Sequence, residues 1–468
     1  MSVIIHWFRR DLRVEDNASL LRAARDADGV LPLFLLDDHY AEDPNVGPAR
    51  FRFLRESLDD LSRSLASLGS RLVVRSGPAS IALPALVAKA GASAVYANLE
   101  IGPYPERRDR EARDALEAIG AKLVLFPDAL LVEPDVTVAD SGKPYTVYGA
   151  YFRSWMAAEK SPVLPAPDRL EGPSVRGASL DRVTAWSDLA PDAESLPGGE
   201  TEAHEVLSAF VSGPLEMYAT DRDFPGRDGT SKLSPHLHFG TISPRTILAG
   251  MSGPRVRAGA RKFVAELAWR EFFHHLLFHF PSVATESFRP EFRELPWSTD
   301  EGTFYAWRAG RTGFPFVDAG MRQLARSHWM HNRARMAVAS FLTKDLHLDW
   351  RLGEKWFEHE LADADLASNN GGWQWVAGTG ADAAPYFRIL NPVLQSKRFD
   401  PDGDYIRRFV PELQRVARER IHEPWTMTPS EQREAGCEIG VDYPAPIVDH
   451  ARERERALRM FEAVRQKK

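Results

Sequence analysis

Short apolar runs alternate with helix-like stretches over the first 130 residues, and this alternation limits the possible fold more than any other feature of the chain. The runs fall at 3–8, 30–36, 72–75, 94–97 and 122–126, and the helical patterns at 17–27, 49–68, 79–90 and 104–119. A continuous apolar run is a strand buried on both faces, and a helix between two such runs is a crossover. The segment therefore predicts an α/β, Rossmann-like domain with a parallel sheet over 1–130. Gly69, Gly91 and Gly120 stand where each helix must stop before the next strand. No G-x-G-x-x-G and no Walker loop follows a strand, so the usual nucleotide fingerprints are absent. Proline is dense from 131 to 201, which predicts a long connector over the surface with one helix at 148–159. Amphipathic segments at 202–212, 261–279, 317–326, 330–342, 354–367 and 447–466 then predict an all-α domain over 202–468.

Composition removes several classes of function. The only cysteine is Cys437, so there is no internal disulfide framework, Cys-rich zinc site or iron–sulfur cluster, and a reducing compartment such as the cytoplasm is expected. His274, His275 and His279 lie close together, but no cysteine or clustered carboxylate completes a metal set, so they read as packing or surface residues. The net charge of −7 excludes a polycationic coat, so any nucleic-acid contact must come from a local patch. No apolar run is long enough to span a membrane, and the start of the chain lacks the pattern of a signal peptide. A monomer is expected. Composition does not account for the 12 tryptophans, eight of which lie between Trp269 and Trp375.

Within the second half, four segments depart from ordinary core. Thr230-Ser231-Lys232-Leu233-Ser234-Pro235 reads as a hydroxyl-rich turn into a helix, with Ser234 as N-cap and Pro235 as the first helical residue. It suits a phosphate, although a plain cap is the simpler reading. Glu266, Trp269, Arg270 and Phe273 share one helical face. Core stripes are normally aliphatic, so this mixture suits a planar ring that stacks and donates hydrogen bonds; the plainer reading is a surface Arg–Glu pair shielding a tryptophan. In Trp329-Met-His-Asn-Arg-Ala-Arg-Met336, Asn332 and Met336 share a face beside Arg333 and Arg335. An amide and a thioether can pad a base or ring edge while guanidinium groups hold phosphates. Finally, Asp363-Ala-Asp365-Leu-Ala-Ser-Asn369-Asn-Gly-Gly-Trp373-Gln-Trp375 reads as two carboxylates near a helix C-terminus, then an Asn-Asn-Gly-Gly turn and an aromatic loop. Carboxylates there oppose the helix dipole, and local rule-breaking of this kind marks a site.

Together with Trp7-Phe-Arg-Arg-Asp-Leu-Arg13, Thr312-Gly-Phe-Pro-Phe-Val-Asp-Ala-Gly-Met-Arg322 and Pro385-Tyr-Phe-Arg-Ile-Leu-Asn-Pro392, these segments resemble the DNA photolyase/cryptochrome family, specifically bacterial class I cyclobutane pyrimidine dimer photolyases. The likeness runs in order along nearly the whole chain. It implies an antenna-chromophore domain, a connector, and a helical domain holding FAD in a U shape. It further implies light-driven DNA repair. Blue-light-excited reduced FAD would donate an electron to a cyclobutane pyrimidine dimer, which splits into two pyrimidines. The alternative is a signalling cryptochrome, for which a long C-terminal extension and a different residue at 369 are expected.

Carried over by position, the resemblance puts Tyr218, Thr230, Ser231, Lys232, Leu233, Ser234, Glu266, Trp269, Arg270, Asn332, Arg335, Asp363, Asp365 and Asn369 against FAD, with Asn369 at the flavin N5 edge. Glu266, Trp269, Asn332, Met336 and Trp375 would line the substrate pocket, and two histidines stand at the positions of Asn332 and Met336 in the related (6-4) enzymes. Trp373, Trp350 and Trp297 would relay electrons from the flavin to the surface, whereas Trp307, Trp329 and Trp356 read as core packing. Arg333, Arg388, Lys397 and Arg398 would contact phosphates of UV-damaged DNA. Leu36, Asp38, Arg50 and Glu100 resemble an antenna site for 8-hydroxy-5-deazaflavin, preferred over methenyltetrahydrofolate or FMN. Gly102 departs from an acidic residue common in that site.

Overall fold

The computed structural model describes residues 2–37, 43–177, 183, 194–251 and 257–466. Strands β1 (Val3–Phe8), β2 (Gly29–Leu36), β3 (Val73–Ser76), β4 (Ala94–Asn98) and β5 (Lys122–Phe126) form one parallel sheet in the order β3-β2-β1-β4-β5. Every residue of β1 and β2 is buried, as continuous apolar runs require. Helices α1 (Ala18–Asp26), α2 (Pro48–Ser67), α3 (Ala79–Ala90) and α4 (Pro103–Glu117) make the crossovers. Gly91 ends α3 in the left-handed conformation, with φ of 64° and its N–H on the Val87 carbonyl. Strand order reverses between β1 and β4, where an α/β sheet opens a crevice at its carboxyl edge. Here a small cavity in that crevice is lined by Arg10, Asp11, Glu100 and, from the helical half, Arg270 and His274. The sheet thus meets the second domain at its switch point.

The connector is less superficial than its prolines predict. Leu131, Val132, Tyr151 and Trp155 are buried in one core with Leu207, Phe263 and Phe272. The buried Glu271 carboxylate accepts from the Leu131 and Val132 amides, at 2.6 and 3.2 Å, and from the Trp155 indole at 2.6 Å. The connector is thereby fastened to the Arg257–His279 helix, which is the spine of the helical domain.

Helices follow at Pro315–Ser327, Asn332–Ser340, Trp350–Glu360, Leu366–Ala377, Pro392–Phe399 and His450–Arg465. Three expectations fail here. The pattern at 354–367 is broken: one helix stops at Glu360, and another starts at Leu366 with the Asp365 carboxylate as its N-cap, accepting from the Ser368 amide at 3.0 Å. Asp365 therefore stands at a helix N-terminus, where a carboxylate is favourable. Asn369-Asn370-Gly371-Gly372 is helix, not turn. Gly371 is required by a neighbour: a Cβ there would run into the Phe273 ring of the spine helix. The Asn332–Ser340 helix starts two residues later than predicted, with the His331 ring as its N-cap, accepting from the Arg333 amide at 3.1 Å.

Candidate cofactor and substrate site

The close approach of the spine helix and Leu366–Ala377 leaves a cavity of about 370 Å³ between them, the Asn332–Ser340 helix and the loop before Ser234. All fourteen residues expected against the cofactor line it: Tyr218, Thr230, Ser231, Lys232, Leu233, Ser234, Glu266, Trp269, Arg270, Asn332, Arg335, Asp363, Asp365 and Asn369. Met336 and Trp373 line it too. Ser234 is not the cap predicted for it. The short helix begins at Ser234 with Leu233 as its uncapped N-cap residue, and the Ser234 hydroxyl accepts instead from the Trp329 indole at 3.3 Å. Trp329 is a cavity wall rather than core. Lys232 adopts φ of 55° and pairs with the exposed Asp228 at 2.7 Å, a contact that competes weakly with another anion.

Asn369 has a defined orientation. Its Nδ2 donates to the Glu354 carbonyl at 3.0 Å, which leaves Oδ1 as the amide atom available to the cavity. An acceptor at that position suits a ring N–H. The neighbouring Asn370 donates to the Glu354 carboxyl at 2.8 Å, and burial pushes that carboxyl up to about 8. Glu354 is thus protonated at neutral pH. Because its folded pKa lies above its unfolded one, stability falls as pH rises from about 4.5 toward 8. Glu354→Gln keeps the acceptor and removes the titration. The variant is expected to gain on the order of 2 kcal/mol at pH 7 in urea unfolding, with no gain at pH 4. An equal effect at both pH values would contradict the neutral-carboxyl reading.

Two carboxylates hold the polar side. Asp363, with its side chain only 2% exposed, pairs with Arg335 at 2.8 Å, and Arg335 also donates to the Met330 carbonyl. Asp365 pairs with Arg10 at 2.6 Å and lies 3.5 Å from His274. Burial alone would raise Asp365, but His274, Arg10 and Arg270 hold it well below the usual carboxylate range. Burial keeps His238 neutral, so its Nδ1 accepts from Arg10 at 3.0 Å. His274 is therefore more than packing. Arg10 was quoted in the N-terminal motif, but only the sheet's switch point reveals what it reaches.

The plainer reading of this face, a Glu266–Arg270 pair, does not hold. Arg222 bonds Glu266, and Arg270 donates to the Ala129 carbonyl at 3.0 Å. Tyr148, from the connector, stacks on Trp269 with centroids 3.7 Å apart and planes 8° from parallel. The contacts that matter here, Arg222 with Glu266 and Tyr148 with Trp269, span 44 and 121 residues of chain, beyond the reach of a local pattern. A second cavity of about 310 Å³ shares Met336 and Val376 with the first. Trp375, Arg333, Arg388 and Arg398 line it, and Trp375 does not line the first cavity. Lys397 points elsewhere, paired with Glu423, while Arg333 pairs with Asp223 at 2.7 Å and lies over Phe399. Asn332 is exposed, with its Nδ2 3.8 Å from the Met336 sulfur.

Of the three tryptophans expected to relay electrons, Trp373 and Trp350 are buried in one core and Trp297 packs partly buried against it. The indole edge-on to Trp373, at 6.2 Å, is Trp307, which is fully buried and donates to the Val338 carbonyl. In the sheet domain, Leu36 and Arg50 are buried, and Asp38 lies outside the described residues. Glu100 sits between Arg108, at 2.7 Å, and Arg9; burial would raise its carboxyl, but these arginines hold it down to about 2. Gly102, where antenna sites of the expected kind carry an acidic residue, has φ of 145°, a conformation that favours glycine. No helix among the described residues is long and apolar enough to cross a membrane.

Comparison with known proteins places this geometry among related chains. Residues 4–168 match the family model described as DNA photolyase, and residues 263–463 the one described as FAD binding domain of DNA photolyase. A deoxyribodipyrimidine photo-lyase from Agrobacterium fabrum is 43% identical over 99% of this chain and 98% of its own. A bacterial class III photolyase from Agrobacterium tumefaciens superimposes with a TM-score of 0.94 at 42% identity, covering 100% of this chain and 98% of that one. An archaeal photolyase from Sulfolobus tokodaii, solved with two FAD molecules, superimposes with a TM-score of 0.85 at 31% identity, covering 98% of this chain and 100% of that one.

Proposed function

The chain belongs to the DNA photolyase family, and from that premise we propose that it is a light-driven repair lyase that splits cyclobutane pyrimidine dimers in UV-damaged DNA, with FAD as cofactor. The observation that carries this reading is the pair of adjoining cavities. One collects every residue expected against FAD, and the other adds a tryptophan and three arginines across the shared Met336. The donor set fits FAD. The Thr230, Ser231 and Ser234 hydroxyls with Lys232 suit phosphates, and the Asn369 Oδ1 suits a ring N–H beside the Asp363–Arg335 pair. Reduced FAD, when bound, absorbs the light and supplies the electron that opens the cyclobutane ring.

The chain's own residues bind, orient and exclude water. Trp269 and Trp375 give flat walls for a dimer flipped out of the helix, and a dimer is already poorly stacked, so its extrusion costs less than that of a normal base. Glu266 accepts from a pyrimidine N–H once Arg222 shares it, and Asn332 with Met336 pads the opposite side. Arg388 and Arg398 hold phosphates, joined by Arg333 and Lys397 as these release Asp223 and Glu423. Trp373, Trp350 and Trp297 would carry electrons from the surface toward the cofactor cavity. A second chromophore belongs to the same reading. Deazaflavin is the candidate drawn from the sheet-domain residues, and the second FAD of the Sulfolobus relative supports a flavin-like one.

The site is tested in the dark. FAD-loaded protein is expected to bind a duplex carrying one thymine dimer at least about 10³-fold more tightly than the undamaged duplex at equal salt, with both affinities falling as salt rises. Equal affinity for the two duplexes would overturn the substrate assignment.

A further inference from the structure

The connector supplies a structural part of the lesion pocket. Tyr148 is the first residue of the Tyr148–Ala157 helix. Its ring lies flat on Trp269, at 3.7 Å and 8°, and does not itself line the cavity that Trp269 walls. Three contacts fix that ring. The phenol donates to the Ala265 carbonyl at 2.7 Å, one turn before Trp269 on the spine helix. Phe272 meets it edge-on at 5.8 Å, and Phe152 stacks behind it at 5.5 Å.

The fourth contact ties Tyr148 to the other wall. The residue before the helix, Val147, has no side-chain acceptor, so the first amide of the helix needs one from elsewhere. Asp382 provides it, accepting from the Tyr148 N–H at 2.9 Å, and places a carboxylate at the positive end of the helix. Asp382 belongs to the loop that follows the Leu366–Ala377 helix. That loop folds back so that the Ala384 amide donates to the Trp375 carbonyl at 3.1 Å. A continuous path therefore runs from the Trp269 ring through Tyr148 and Asp382 to the backbone of Trp375.

We propose that Tyr148 and Asp382 are positioning residues that together set the spacing between Trp269 and Trp375, and so the width of the slot that grips a flipped pyrimidine dimer. This rests on the repair reading given above. A slot held rigid discriminates. Two covalently joined pyrimidines fill it, whereas one ordinary base leaves it half empty. Without the Tyr148 ring, Trp269 gains room to rotate away and the dimer loses one wall, while phosphate contacts are untouched.

Dark binding of FAD-loaded protein to dimer-containing and undamaged duplexes tests the proposal with Tyr148→Ala, Tyr148→Phe and Asp382→Ala. Tyr148→Ala and Asp382→Ala are each expected to weaken dimer binding by about 5- to 10-fold, the order of one lost aromatic or charge-assisted contact. Affinity for undamaged DNA and flavin content should not change. Tyr148→Phe keeps the ring and is expected to retain most of the affinity. The proposal is overturned if Tyr148→Ala binds the dimer as tightly as the unaltered protein. It is equally overturned if both duplexes weaken together, which is the mark of general loosening. If the unaltered protein itself fails to prefer the dimer, the repair reading fails, and that outcome is distinct from failure of the clamp.

Discussion

Replacing Trp373 with phenylalanine is expected to slow light-driven reduction of the bound flavin at least about tenfold, the loss that a barrier only ~1.4 kcal/mol higher already produces. Repair by enzyme reduced chemically beforehand should survive. The expectation starts from position. Trp373 is the one member of the proposed relay that lines the cofactor cavity, and it is 3% exposed. Its ring lies on the bare backbone of Gly353, where a Cβ would collide with it, and Phe357 closes it edge-on at 5.0 Å. So tight a seat means that phenylalanine leaves a void, at a cost of about 1–3 kcal/mol of stability, and the variant should still fold. The route beyond Trp373 is tested by the next substitution. Trp350→Phe should slow reduction as well, whereas Trp307→Phe, at the edge-on neighbour 6.2 Å away, should not. Transient absorption on the three variants separates these outcomes. Unimpaired reduction in the Trp373 variant, or loss of reduction and repair together, would contradict the relay.

Asp365→Ala is expected to cost about 3–5 kcal/mol and most of the bound flavin. Three effects act together. The Leu366–Ala377 helix loses its N-cap, worth about 1 kcal/mol. Arg10 loses a partner at 2.6 Å, and His274 one at 3.5 Å. Both stand in one crevice with Arg270, so the positive charge there loses its nearest carboxylate, with Asp11, Glu100 and Asp128 left to offset it. Asp365→Asn retains the cap acceptor and should recover about 1 kcal/mol of the loss. The pH dependence has a definite sign. The folded-state pKa of Asp365 lies below its unfolded value, so its contribution is complete above about pH 4 and is lost as pH falls through the depressed value. The gap between wild type and Asp365→Ala should therefore be constant from pH 6 to 8 and close under acid. Urea titration with flavin absorbance measures both effects, and a variant of unchanged stability and flavin content would contradict the role of Asp365 in joining the domains.

Much of this fold is legible in the sequence because its signals are local. The runs at 3–8 and 122–126 coincide with β1 and β5; β1 is buried throughout and almost wholly apolar, whereas β5 stands at the sheet edge with only Leu123 buried. The glycines after the crossover helices needed only the left-handed region, and Gly69, Gly91 and Gly120 all adopt it. Most of the failures share a physical cause: residues chosen by a distant neighbour. Gly371 sits inside a helix because Phe273 occupies the space of its Cβ, and sequence alone reads Asn-Asn-Gly-Gly as a turn. Asp365 was assigned to the wrong end of a helix because the break at Leu361 carries no glycine or proline. The residues expected against the cofactor rest on ordered motifs, and those motifs carry no record of Arg222, Tyr148 or the reach of Arg10. Each of these makes its contact across a long stretch of chain.

The central claim is that two adjoining cavities hold a flavin and a flipped pyrimidine dimer for light-driven bond cleavage. It is tested most directly by illuminating the FAD-loaded, chemically reduced protein with blue light under anaerobic conditions, bound to an oligonucleotide that carries one thymine dimer. The account predicts that intact thymines return in light, with many dimers repaired per protein and none in the dark. Dimers that survive illumination while bound to the reduced protein would contradict it.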